Sequence, residues 1–138
     1  MKRAHLQYTL LGLILLEILI TGFVMTQGSS AFCVGESDCA SVQSSSYGTL
    51  LGIKLPVFGF SMFTLLLIFF LFAQKSATAK KLFFLATLLG ALFACYFLSL
   101  QFFVLGKVCS SCLLIDSTAI LMGIIACFWR KSHPTKYF

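Results

Sequence analysis

Charge is what this chain has least of. Among its 138 residues only 10% are charged, and four of those are acidic, whereas a soluble domain is about a quarter charged. So few charges cannot cover a solvated surface, which excludes an ordinary water-soluble domain. Also missing are a C-x-x-C-H haem motif, a glycine-rich dinucleotide fingerprint and a cluster-binding cysteine run. There is no internal repeat, and no low-complexity tract beyond "SSS" at Ser44–Ser46. The cations form no basic face; they fall in short ends and connections. The net charge of +6 therefore points to no nucleic-acid partner. It fits instead the tendency of Lys and Arg to stay on the cytoplasmic side of a membrane.

What is present is apolar: 59% of the residues, sixteen phenylalanines among them. Four runs, at about 8–27, 56–74, 82–104 and 108–129, are close to the roughly 20 residues that cross a hydrocarbon core. The predicted fold class is an all-α membrane protein, a four-transmembrane-helix bundle forming a single domain over 1–138. Pro56 opens the second run, where a helix least misses an N–H. Gly106 and Lys107 mark a short gap before the fourth run, so the last two helices are expected to be antiparallel neighbours. The basic start would suit a secretory signal, but such apolar stretches usually span 7–15 residues and no A-x-A site follows Gln27. A retained first helix is expected.

Lys and Arg give the orientation. Lys2, Arg3, Lys75, Lys80, Lys81, Arg130, Lys131 and Lys136 fall on one side of a four-span arrangement; Lys54 and Lys107 fall on the other, with Glu36 and Asp38. The positive-inside tendency then puts both termini in the cytoplasm and the 28–55 and 105–108 connections outside.

The six cysteines sort by depth. Cys33 and Cys39 belong to the first outer loop, and Cys109 and Cys112 to the outer mouth of the fourth helix, a side on which disulfides can persist. Cys95 and Cys127 lie deeper, where single cysteines usually act as small hydrophobes. Spacing leaves three readings open for the outer four. They are a structural Cys33–Cys39 staple, a four-thiolate zinc site built on C-x-x-C, or a relay exchanging disulfides. The relay is favoured, because a helix N-terminus stabilises a thiolate and C-x-x-C suits a reversible disulfide. Cys109, Cys112 and Asp116 fall within about 60° on one helical face. An ionisable group within an apolar span is costly and suggests function, though Asp116 could equally snorkel or bond a neighbouring helix. Glu17, mid-way along the first span, would cost about 2.5–3.5 kcal/mol if charged. It is expected to be protonated or paired. A dithiol being oxidised must pass on two electrons and two protons. A quinone needs no sequence motif, only an apolar pocket open to the bilayer.

"C-x5-C-A-S-V-Q-S-S-S-Y-G-T-L-L-G-I" from Cys33, followed by one helix and later by "C-S-S-C" at the head of another, resembles the vitamin K epoxide reductase family. The likeness covers residues 8–129 and is to the bacterial, disulfide-forming members. It implies a short half-helix in the outer loop. It also implies that Cys109 and Cys112 are the active pair, with Cys112 beside the quinone. Cys33 and Cys39 would take electrons from a thioredoxin-fold protein and pass them on through a transient Cys39–Cys109 disulfide. Ser45 matches a serine in the amphipathic segment capping the pocket. Two positions differ from animal members: Asp116 stands where they carry tyrosine, and "KLPVFG" stands where they carry an asparagine. Both differences weaken an epoxide-reductase reading.

The expected activity is that of a quinone-dependent thiol oxidoreductase. It reoxidises a periplasmic thioredoxin-fold dithiol oxidase and reduces ubiquinone or menaquinone, with no metal. The site residues are Cys33, Cys39, Cys109 and Cys112, with Ser45 and Asp116 at the quinone. With no fused thioredoxin-like domain before Phe138, the dithiol partner is expected to be a separate DsbA-like protein. The expected location is a bacterial inner membrane, crossed several times, with the cysteine pairs periplasmic. Two rival readings are a vitamin K epoxide or quinone reductase of the endoplasmic reticulum, and a non-enzymatic membrane protein with a stapled or metal-binding outer loop.

Overall fold

The structure, a computed structural model, describes residues 2–27 and 36–131. Cys33 lies outside the described residues. Helix α1 runs Lys2–Gln27, and a short α2 runs Glu36–Ser44. Strands β1 (Thr49–Leu50) and β2 (Ile53–Lys54) pair as a two-stranded antiparallel hairpin. Helices α3 (Leu55–Ala73), α4 (Ala77–Ser99) and α5 (Ser110–Lys131) follow, with a π-helical turn over Leu100–Leu105 extending α4. The long helices α1, α3, α4 and α5 are each apolar and long enough to cross a membrane, and the protein is a multi-pass membrane protein.

Local chemistry sets the ends of these helices. Pro56 sits in the first turn of α3, where its missing N–H has no intrahelical partner to lose. Helix α4 starts at Ala77, ahead of the apolar run, because the alanines and lysines of "ATAKK" are strong helix formers. It ends through the π-helical turn at Gly106, whose φ of 59° is left-handed backbone that glycine adopts without steric cost. Cys109 therefore lies just ahead of α5 rather than in it.

The long helices close a ring in which α1 packs on α3, α3 on α4, α4 on α5, and α5 back on α1. The ring is solid at the end that carries the chain termini. Phe83 stands edge-on between Phe70 and Trp129, with centroid separations of 5.4 Å and 6.0 Å. Leu10, Ile14, Ala73 and Met122 complete that core. With no hydrophobic drive between helices in lipid, such contacts are held by close van der Waals packing. Gly123 of α5 shows how close: a Cβ there would meet Ala91 Cβ of α4 at 2.7 Å. At the opposite end the ring is hollow, and α2 and the hairpin lie over it.

Candidate active site

Cys109 is the residue from which α5 begins. Its carbonyl accepts the Leu113 N–H at 2.8 Å, and its Sγ accepts the Cys112 N–H at 3.4 Å. It thus occupies the N-cap position, with sulfur in place of the usual side-chain oxygen. The Ser111 hydroxyl lies 3.2 Å from the same sulfur. Helix-terminal N–H groups favour negative charge at this point. Hydrogen bonding from the Cys112 side chain is the largest influence on Cys109, joined by Ser111, the Cys112 N–H and Gln43; together they outweigh burial and lower its thiol pKa to about 6. Cys109 and Cys112 are both free thiols.

The loop cysteine comes to the same place. Cys39 on α2 and Cys109 are each fully buried, and with Val42 they form one cluster against which Leu105 and Cys112 pack. Cys39 is in a disulfide whose partner falls outside the described residues. An exposed ion pair, Lys107 Nζ to Asp38 Oδ1 at 4.0 Å, links α2 to the connection before α5; pairs this exposed contribute about 0–1 kcal/mol.

Beneath the cysteines is a cavity of about 380 Å³. Phenylalanine, leucine and small residues of α3 and α4 make most of its wall. Its polar groups, among them Gln43, Tyr47, Gln101, Ser111, Cys112 and Asp116, come from α2, the segment after it, and the facing ends of α4 and α5. Leu65 of α3 and Leu89 and Phe93 of α4 both line the cavity and lie exposed on the outside of the ring. The cavity therefore opens between α3 and α4, towards lipid.

The segment over the cavity is shaped by Ser45 and Gly48. The Ser45 hydroxyl donates to the Val42 carbonyl at 2.7 Å, and the Ser45 carbonyl accepts the Gly48 N–H at 2.9 Å. Ser45 itself is not on the cavity wall; Val42, Gln43, Tyr47 and Gly48 are. A Cβ on Gly48 would run into the Gln43 backbone carbonyl, so only glycine allows the chain to fold back this tightly.

Asp116 lines the cavity one turn below Cys112 and is within electrostatic reach of both Cys109 and Glu17. Glu17 on α1 is fully buried but is not on the cavity wall. Thr118 faces it from α5, yet that hydroxyl donates to the Leu114 carbonyl at 2.9 Å. Neither Glu17 carboxyl oxygen has a hydrogen-bond partner among the described residues. Cys95 is exposed and Cys127 half-buried, and neither lines the cavity.

Gln101, absent from the sequence expectations, belongs to the site. It is 3% exposed, lines the cavity, and accepts the Cys109 N–H on Oε1 at 3.1 Å. The signal was present in sequence: one amide in an apolar run, seven residues beyond Ala94 and fourteen beyond Thr87, hence on one helical face. Ser111, inside the C-x-x-C, was equally open to notice.

No curated protein and no solved structure matches the chain. The family model described as "Vitamin K epoxide reductase family" matches residues 5–127, which takes in all four long helices and the site between them. Membrane-embedded thiol oxidoreductases linked to quinones and thiol partners make up that family, and an apolar bundle with a free C-x-x-C at a helix start agrees with it. The chain belongs to the vitamin K epoxide reductase family.

Proposed function

We propose that the whole chain acts as one domain that oxidises a periplasmic thioredoxin-fold dithiol protein and delivers the electrons to a membrane quinone. The observation that carries this reading is the burial of Cys39 against Cys109 at the roof of an apolar cavity. A quinone suits the cavity's surroundings, being flat, apolar and delivered from lipid through the opening between α3 and α4. When bound, it accepts two electrons and two protons. Cys112 and Asp116 would flank it, and Ser45 would hold Gln43 and Tyr47 above it.

The thiol chemistry follows from the cysteines. A thiolate of the dithiol partner attacks the Cys33–Cys39 disulfide, and its second thiol completes the exchange, so the partner leaves oxidised and the loop reduced. Cys39 as a thiolate then attacks Cys109 of a Cys109–Cys112 disulfide. A Cys39–Cys109 bond forms and Cys112 leaves as a thiolate. Attack by Cys33 on Cys39 restores the loop disulfide and frees Cys109. A free Cys109/Cys112 pair beside a disulfide-bonded Cys39 is the arrangement such an exchange would leave, which supports this reading. Hydrogen bonds at the α5 N-terminus make Cys109 a good leaving group there. A disulfide-bonded Cys39 has no thiolate to give a metal, which favours the relay over zinc. The cysteine end would face the periplasm of a bacterial inner membrane, with both termini cytoplasmic, on the Lys and Arg distribution.

The test uses purified full-length chain with a reduced thioredoxin-fold dithiol and either ubiquinone-1 or menadione, and separately with vitamin K epoxide. Dithiol-dependent quinone reduction is expected. Turnover of the epoxide alone would overturn the proposal in favour of an epoxide reductase.

A further inference from the structure

Gln101 is a buried amide with two different duties available to it. A backbone N–H can only donate, so the bond from Cys109 N–H fixes the carbonyl oxygen of Gln101 on that side. The NH2 is then the end left to face the cavity that Gln101 lines. Around it the described α3 and α4 wall is apolar apart from Thr87. The π-helical turn at Leu100–Leu105 explains how the amide comes to be here. Leu100 and Gln101 are buried while Phe102, Phe103 and Val104 turn outward, and π turns inside helices often mark functional sites.

Resting on the proposed quinone-reducing function, we infer that Gln101 is a quinone-binding residue. Its NH2 donates to a carbonyl oxygen of the bound quinone while its own carbonyl holds the Cys109 backbone. The single amide therefore ties the position of the acceptor to the position of the C-x-x-C. It supplies from the end of α4 a donor that "KLPVFG" ahead of and within α3 does not provide, since no Asn or Gln occurs there. A donor aimed at one carbonyl also makes the two ends of the quinone unequal, presenting one fixed edge towards Cys112.

The experiment measures binding of ubiquinone-1 and of menadione to the full chain carrying Cys109→Ala and Cys112→Ala, so that no electron transfer occurs. Affinity is read by equilibrium titration, and the carbonyl stretches of the bound quinone by infrared difference spectroscopy. With Gln101 intact, one carbonyl band should lie below its position in free quinone. In Gln101→Met the dissociation constant should rise about tenfold, as for loss of one hydrogen bond, and that band should return to the free position. If Gln101→Met does not fold, Gln101→Asn serves, because an amide one methylene shorter cannot span Cys109 and the cavity together. Quinone binding with unchanged affinity and unchanged bands would overturn the role of Gln101 and leave the proposed function standing. Failure of the parent chain to bind either quinone would instead overturn the proposed function, and the inference with it.

Discussion

Cys39 and Cys109 are separated by about half of the chain yet share one buried cluster, each with no solvent exposure. That shared burial of a loop cysteine and the N-cap cysteine of α5 is what the proposed exchange requires. Replacing Cys33 and Cys112 by Ser together should therefore trap a Cys39–Cys109 disulfide, because both thiols that could open it, Cys33 at Cys39 and Cys112 at Cys109, are gone. Non-reducing peptide mapping by mass spectrometry checks this. A Cys33→Ser/Cys112→Ser protein with Cys109 still free after exposure to an oxidised dithiol would count against the relay.

The depressed Cys109 pKa sets a pH window. The group is an acid whose folded value, about 6, lies below the roughly 8.5 of a free thiol. Its stabilising contribution to the reduced protein is thus fully present above the unfolded value and is lost as pH falls through about 6. Thiolate absorbance near 240 nm, taken as the difference between the parent and Cys109→Ala, should titrate close to that value. Ser111→Ala removes one of the hydrogen bonds to the sulfur and should move the midpoint upward.

Glu17 is a buried carboxyl whose oxygens have no hydrogen-bond partner among the described residues. An unsatisfied buried polar group costs about 1–3 kcal/mol. Glu17→Leu should therefore raise stability by an amount of that order, measured as the midpoint of unfolding in mixed micelles. A drop in the midpoint would mean that the carboxyl contributes a contact the packing does not reveal.

Gly48→Ala should unseat the end of α2 from the cavity. The added methyl meets the backbone of Gln43, which cannot move aside as a side chain can. A loss of about 1–3 kcal/mol is expected, the usual cost of overpacking. Slower trapping of Cys39 on Cys109 in the Cys33→Ser/Cys112→Ser background should accompany it.

Gly123→Leu tests the α4–α5 contact, since a Cβ there would meet Ala91 of α4. About 1–3 kcal/mol of destabilisation is expected, with the Cys109 titration unchanged because Gly123 lies about four turns along α5 from Cys109. A shifted titration would show that this contact and the head of α5 are coupled.

Much of this protein is legible in its sequence, for physical reasons that differ by feature. Four spans can be read because lipid demands long apolar runs with their backbone bonds satisfied internally. Cys39 and Cys109 can be expected at one face because Lys and Arg are unevenly shared between the connections. The free C-x-x-C could be placed at a helix start from Gly106 and Lys107 alone. Ser45 is different: its position in a recognisable segment suggests contact with the quinone, whereas its hydroxyl closes the last turn of α2. A one-dimensional pattern cannot tell a side chain that shapes a loop from one that touches what the loop covers.

By itself, then, the amino-acid sequence determined the bundle and its family. Only the tertiary structure decided that Cys39 reaches Cys109, that Glu17 stands behind the cavity and Asp116 on its wall, and that Gln101 joins the site. Hydropathy reports on each helix and its solvent separately. The direction in which a lone polar side chain points depends on how four helices rotate against one another, and here on a π-helical turn that apolar composition does not encode.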